Sequence, residues 1–200
     1  MARWEPDSRG RLERAALALF GERGFENTTV AEIAARAGLT ERTFFRYFAD
    51  KREVLFGGAG ALRELLVRTV DAAPATAEPL EVVVAAFEAA AAVLQERRAF
   101  SQQRQVVIAA NAELREREVL KLALLGASVA DALRRRGVAG TAASLTADTG
   151  IAIFRAAFEA WVEEAEEREF PQLIRDTFAE LRAVAAGAET PGARLVPTAR

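Results

Sequence analysis

Residues 40–51 read TERTFFRYFADK. Arg42, Thr43, Arg46 and Tyr47 are side chains of the kinds that serve nucleic acid. Arginine bonds a guanine edge or a phosphate, threonine meets a thymine methyl or a phosphate, and a tyrosine hydroxyl reaches phosphate. A helix over 41–48 places these four on the side away from Phe44 and Phe48, which share a buried face. A short helix with one polar face suits entry into a DNA major groove.

The flanking sequence supplies what such a helix needs. Thr40 is a helix N-cap. Gly38 accepts the left-handed backbone that ends the preceding helix, and Leu39 fills the angle between the two. Thr29 and Glu32 have capping-box spacing. Val30, Ile33, Ala34 and Ala37 then form one apolar stripe. Upstream, Leu12, Ala15, Ala16, Leu19 and Phe20 predict a first helix from about Asp7 to Arg23. Asp50 and Glu53 read as a second capping box, opening a fourth helix from Lys51 to about Ala73. Lys51 and Arg52 in its first turn oppose the helix dipole, a conflict that a bound phosphate would relieve.

From Ala15 to Phe56 the sequence AALALFGERGFENTTVAEIAARAGLTERTFFRYFADKREVLF resembles the TetR/AcrR family of bacterial transcriptional regulators. The resemblance implies an all-α homodimer. Its N-terminal three helices form a helix-turn-helix DNA-binding domain, and its C-terminal helices bind a small ligand and dimerise. By motif position the family's DNA contacts fall on Thr29, Thr40, Arg42, Thr43, Phe45, Tyr47 and Lys51; Arg46 joins them from its place on the polar face. The family usually has tyrosine where this chain has Phe45, so a phosphate-bonding hydroxyl is missing; the ring can still touch a thymine methyl or a sugar edge. Arg42 replaces a small residue and can add a guanine contact. The segment NAELREREVLK and the helix after it are similar to an actinobacterial subgroup whose ligand domains take acyl-CoA-like molecules.

Composition narrows the alternatives. The chain has 200 residues, no cysteine and no histidine. Disulfides, thiol redox chemistry, Ser-His-Asp catalysis and most zinc sites are therefore excluded. No enzyme, cofactor or metal is expected. Residues 1–55 carry ten Lys/Arg and nine Asp/Glu, leaving +1. Nonspecific DNA affinity should then be modest, and the placement of the cations matters more than their number. Arg3, Arg9 and Arg11 are candidates for an N-terminal arm toward the minor groove. No long apolar run and no hydrophobic leader is present, so a cytoplasmic protein without membrane contact is expected.

The expected organisation is residues 1–50 for DNA binding, 51–187 for ligand binding and dimerisation, and 188–200 as a disordered tail. Later helices are predicted at about 80–96, 100–110, 111–136 (capped by Asn111, stopped by Gly137), 142–168 and 171–186. The last two are the candidate dimer surface. A pocket is expected from Phe87, Phe154 and Phe158 with Gln103, Arg104 and Arg155 as polar groups, although Arg155 also has Glu159 at i+4 for a plain helix pair. The expected function is a regulator, as a repressor released from a palindromic operator by a small hydrophobic or acyl-type effector. The alternative is a ligand-independent architectural DNA-binding protein.

Overall fold

The structure, a computed structural model, describes residues 7–163, 165 and 167–187. Arg3 and the tail 188–200 lie outside the described residues. Among these the fold is all-α: α1 (Ser8–Arg23), α2 (Val30–Arg36), α3 (Glu41–Tyr47), a 3₁₀ turn (Arg52–Phe56), α4 (Ala59–Ala72), α5 (Pro79–Gln95), α6 (Arg98–Ala109), α7 (Ala112–Arg135), α8 (Gly140–Val162) and α9 (Phe170–Ala185). No helix among the described residues is long and apolar enough to cross a membrane. The residues divide into two compact units, 7–65 with 97–128 and 66–96 with 129–187.

The first unit is organised around α1, which packs on α2, α6 and the 3₁₀ turn. Asp7 caps α1, accepting a hydrogen bond from the Gly10 N–H at 3.0 Å and an ion pair from Arg14 at 2.9 Å. Leu12, Phe20, Ile33, Phe44, Phe48 and Leu114 meet in one apolar core. Arg9 and Arg11 belong to α1 rather than to an extended arm. Arg9 lies beside Glu13 and over the Phe48 ring, and Arg11 donates to the Ala37 carbonyl.

Three local expectations need correction. The predicted helix 51–73 is a 3₁₀ turn, a break at Gly57–Gly58 and then α4. Glycine is a poor helix former, and a Cβ at Gly57 would come within 2.5 Å of Glu13 Oε1 and 3.0 Å of the Phe48 ring. The second capping box is half formed. Asp50 accepts from the Arg52 and Glu53 N–H groups at 2.8 and 3.1 Å, but Glu53 turns away toward α7. Asn111 does not cap α7; its amide donates back to the Val107 carbonyl at 2.7 Å.

The second unit packs α5, α8 and α9 together. Pro79 opens α5, where a missing N–H costs nothing. Gly150 faces α5 so closely that a Cβ there would lie 2.3 Å from Val83 Cγ1. Phe87 packs on Phe154 at 5.2 Å between centroids, and Trp161 stacks on Phe170 at 4.6 Å. The Phe170 N–H donates to Gln95 Oε1 at 2.8 Å, fixing the start of α9. α8 ends at Val162 rather than near 168. The sequence beyond is rich in glutamate, and carboxylates at a helix C-terminus oppose its dipole. Leu145 on α8 and Leu181 and Val184 on α9 are exposed.

Candidate nucleic-acid interface

The α2–turn–α3 segment is built as its capping residues require. Thr29 Oγ1 accepts from the Glu32 N–H at 3.2 Å, and Glu32 returns the bond to the Thr29 N–H at 2.8 Å. The Thr29 hydrogen bonds hold the Glu32 carboxyl below its ordinary pKa, and Arg23 adds to the effect. Gly38 stands at φ +66°, the Leu39 N–H bonds the Ala34 carbonyl at 2.8 Å, and Thr40 caps α3 through the Thr43 N–H at 3.2 Å. Leu39 packs half-buried against the core, in the angle expected for it.

On α3, Phe44 is fully buried and Phe48 nearly so. Arg42, Phe45 and Arg46 are exposed on the opposite face. Thr43 and Tyr47 flank it, half-buried, because they lie about 100° and 140° round the helix from Arg42. The Thr43 hydroxyl lies 3.1 Å from that of Thr40. Arg46 donates to the Tyr47 hydroxyl at 3.2 Å and lies over its ring at 4.9 Å. Arg42 makes no hydrogen bond or ion pair with any described residue. An uncommitted guanidinium beside an exposed ring is an arrangement that can read base edges.

The segment after α3 is held by ion pairs with few counterparts in local sequence. Lys51 donates to the Phe25 carbonyl at 2.7 Å and lies 4.2 Å from that ring's centroid; its remaining protons are available to a phosphate. Arg52 is engaged by Asp50 at 2.8 Å and by Glu113. Glu53 receives Lys121 at 2.9 Å and Arg117 Nε at 2.7 Å. Burial alone would raise the Glu53 carboxyl, but the bonds from Lys121 and Arg117 outweigh it and hold it below its ordinary value. Arg104 donates to the Leu55 carbonyl at 2.8 Å, pairs with Glu118 at 2.9 Å and covers the Phe56 ring. Burial lowers the Arg104 guanidinium, with Glu118 acting against it. The clasp of Arg117 and Lys121 on Glu53, a residue read from the sequence only as half of a capping box, went unnoticed because its partners lie more than 60 positions apart.

Residues 13–56 match the family model for bacterial regulatory proteins, tetR family, and residues 77–186 match that for the MftR C-terminal domain. The chain belongs to the TetR family. That is a family of DNA-binding transcriptional regulators, not of enzymes. Among curated relatives, the HTH-type transcriptional regulator TcmR of Streptomyces glaucescens is 40% identical over 82 residues, 41% of this chain and 36% of TcmR. The HTH-type transcriptional repressor KstR2 of Mycobacterium tuberculosis is 40% identical over 86 residues, 40% of this chain and 43% of KstR2. The alignments thus span well under half of these relatives. Thermus thermophilus FadR, solved with lauroyl-CoA, is 25% identical at TM-score 0.55, over 94% of this chain and 99% of that one. A regulator from Syntrophomonas wolfei is similar in fold at TM-score 0.65 and 18% identity, covering 93% and 98%.

In this TetR-family chain the ligand candidates are dispersed. Phe87 and Phe154 are core residues of the second unit, with Phe158 half-buried beside Phe154 at 6.1 Å. Arg155 is 65% exposed and lies 3.6 Å from Glu159, so its stem is not buried and the plain helix pair is what forms. Gln103 and Arg104 belong to the first unit, Gln103 exposed and Arg104 bound as above.

Proposed function

We propose that the chain is a homodimeric repressor that binds a palindromic operator and is released by an acyl-type effector, acting in the cytoplasm. The observation that carries the DNA-binding part is the exposed Arg42–Phe45–Arg46 face on a helix capped by Thr40 and anchored by Phe44. In this reading residues 1–50 are the DNA-binding domain, and Thr29, Thr40, Thr43, Tyr47 and Lys51 flank that face toward phosphate. Residues 51–187 bind ligand and dimerise. The exposed Leu145, Leu181 and Val184 on α8 and α9 support pairing of two copies through those helices. Dimerisation brings two recognition helices to the spacing of about 34 Å that one DNA turn demands. Effector binding acts by changing that spacing, which requires about 10³–10⁴-fold preference for the DNA-incompetent state.

The acyl assignment draws on the T. thermophilus FadR complex with lauroyl-CoA and on the apolar Phe87, Phe154 and Phe158. The tight packing of Phe87 on Phe154 favours one second reading, a DNA-binding protein with no ligand. One experiment separates them. The purified chain is footprinted on DNA upstream of its own gene, and acyl-CoAs of graded chain length are titrated into the complex. The leading reading expects one protected inverted repeat, a dimer by sedimentation, and release by a subset of the acyl-CoAs. Protection that no acyl-CoA disturbs would favour the ligand-free binder, and absence of protection on any duplex would remove both.

A further inference from the structure

Phe45 is the one aromatic among the exposed large apolar side chains of the described residues, at 55% exposure. Its ring meets Phe44 edge-on, at 5.5 Å between centroids and 82° between planes, and Phe44 is immobilised in the core. The exposed ring is therefore aimed by a buried one. It stands between two guanidinium-bearing positions of the same face, so a membrane or an apolar protein groove would have to bury charge beside it. A polyanion would not. Without a hydroxyl the ring cannot bond a phosphate. The apolar group that base-pair edges present in the major groove is the thymine C5 methyl.

Arg42 and Arg46 differ in availability. Arg46 is stacked on Tyr47 and bonded to its hydroxyl. Arg42 has no bonding partner among the described residues. The available guanidinium is the one suited to the paired acceptors O6 and N7 of guanine. Phe45 lies three residues along α3, about 4.5 Å of helix rise, and successive bases are about 3.4 Å apart. With α3 lying along the groove, that rise is close to one base step, which suits two side chains that address neighbouring base pairs.

Resting on the DNA-binding reading above, we propose that Arg42 and Phe45 form a two-residue reader of a guanine and an adjacent thymine methyl in each half-site. Arg42 supplies the hydrogen bonds. Phe45 supplies a contact that senses only the methyl group. Tyr47 and Arg46 orient the helix on the backbone. This makes Phe45 a specificity residue rather than a phosphate anchor.

The test starts with selection of duplexes by the full chain from a randomised pool, followed by base-analogue substitution in one half-site. Replacing the thymine next to the selected guanine by deoxyuridine removes only the methyl. The wild-type chain should lose about fourfold in affinity, the equivalent of one buried methylene. Phe45→Ala should bind the two duplexes equally. Replacing the guanine by 7-deazaguanine removes one acceptor and should weaken wild type but not Arg42→Ala. Both variants alter exposed side chains, and their unchanged circular dichroism and melting would establish that they fold. Equal binding of thymine and uracil duplexes by wild type would overturn the inference, even if Phe45→Ala binds poorly, since that pattern is a sugar contact. A selected half-site lacking an adjacent guanine and thymine would overturn it too. Failure to select any duplex would instead refute DNA binding itself, and this inference with it.

Discussion

Alanine at Gly150 and alanine at Gly21 are nominally the same change, yet they should act with opposite sign. At Gly150 the new Cβ would lie 2.3 Å from Val83 Cγ1 and 2.8 Å from Phe87 Cε2. Neither neighbour can yield easily. Val83 is fully buried and β-branched, hence stiff within its helix, and the Phe87 ring is pinned against Phe154. α8 must back away from α5. Overpacking of this kind costs about 1–3 kcal/mol, and so short a contact belongs at the upper end. The exchange recovers about 1 kcal/mol of helix propensity, leaving a net loss of about 1–2 kcal/mol. Gly21 lies within α1 with nothing within 4 Å of the same position. There only the propensity gain operates, about 0.5–1 kcal/mol of stabilisation. In a Trp4→Phe background, emission from the buried Trp161 follows the unit that holds Gly150. Gly150→Ala should lower the urea midpoint by roughly 0.5–1 M, given slopes of about 1–3 kcal/mol/M. Gly21→Ala, followed by far-UV circular dichroism, should raise its midpoint. A Gly150→Ala midpoint at or above that of the parent would refute the claim that glycine is needed for close approach of α5 and α8.

Four other outcomes are expected. Phe44→Ala should destabilise the first unit by about 3–5 kcal/mol as a core truncation, read by thermal and urea melts. Arg42→Ala should cost about 1–3 kcal/mol on the selected duplex with little change on random DNA; equal losses on both would show a phosphate contact instead. Glu53 has a folded-state pKa below its ordinary 4.5, so its stabilisation is complete above that value and is lost as pH falls through the depressed one. The gap in urea midpoint between wild type and Glu53→Gln should therefore close on acidification, and a gap independent of pH would contradict the Arg117–Lys121 clasp. Gly38→Ala should strain a φ of +66° by about 1–2 kcal/mol and displace Arg11, whose guanidinium lies 2.7 Å from the Cβ position; an unchanged melt would count against that turn.

Local signals were read well from the sequence where the physics is local. The Thr29–Glu32 box, the Gly38 turn, the Thr40 cap and the shared buried face of Phe44 and Phe48 all depend on residues within four positions. Periodicity found α5 and α9 to within a residue or two for the same reason. It misplaced what depends on distant neighbours. The need for glycine at position 57 comes from the nearness of Glu13 and Phe48, the turn of Glu53 from Arg117 and Lys121, and the burial of Arg104 from Leu55 and Glu118. Apolar stripes told which residues are capable of burial. Within α9 they did not separate Leu173 and Ile174, which are buried, from Leu181 and Val184, which are exposed. Arg155, expected as a polar group of the pocket, is carried outward by α8 to Glu159, the alternative that the i+4 spacing also offered.

Hydroxyl-radical footprinting of the protein, with and without a saturating selected duplex, tests the DNA-binding face most directly. The half-exposed Phe45 ring is an intrinsic probe, and Phe178 on α9 serves as a half-buried reference. Oxidation of Phe45 should fall several-fold when DNA is bound while that of Phe178 holds steady. Unchanged Phe45 reactivity in a fully bound complex would show that another surface holds the DNA.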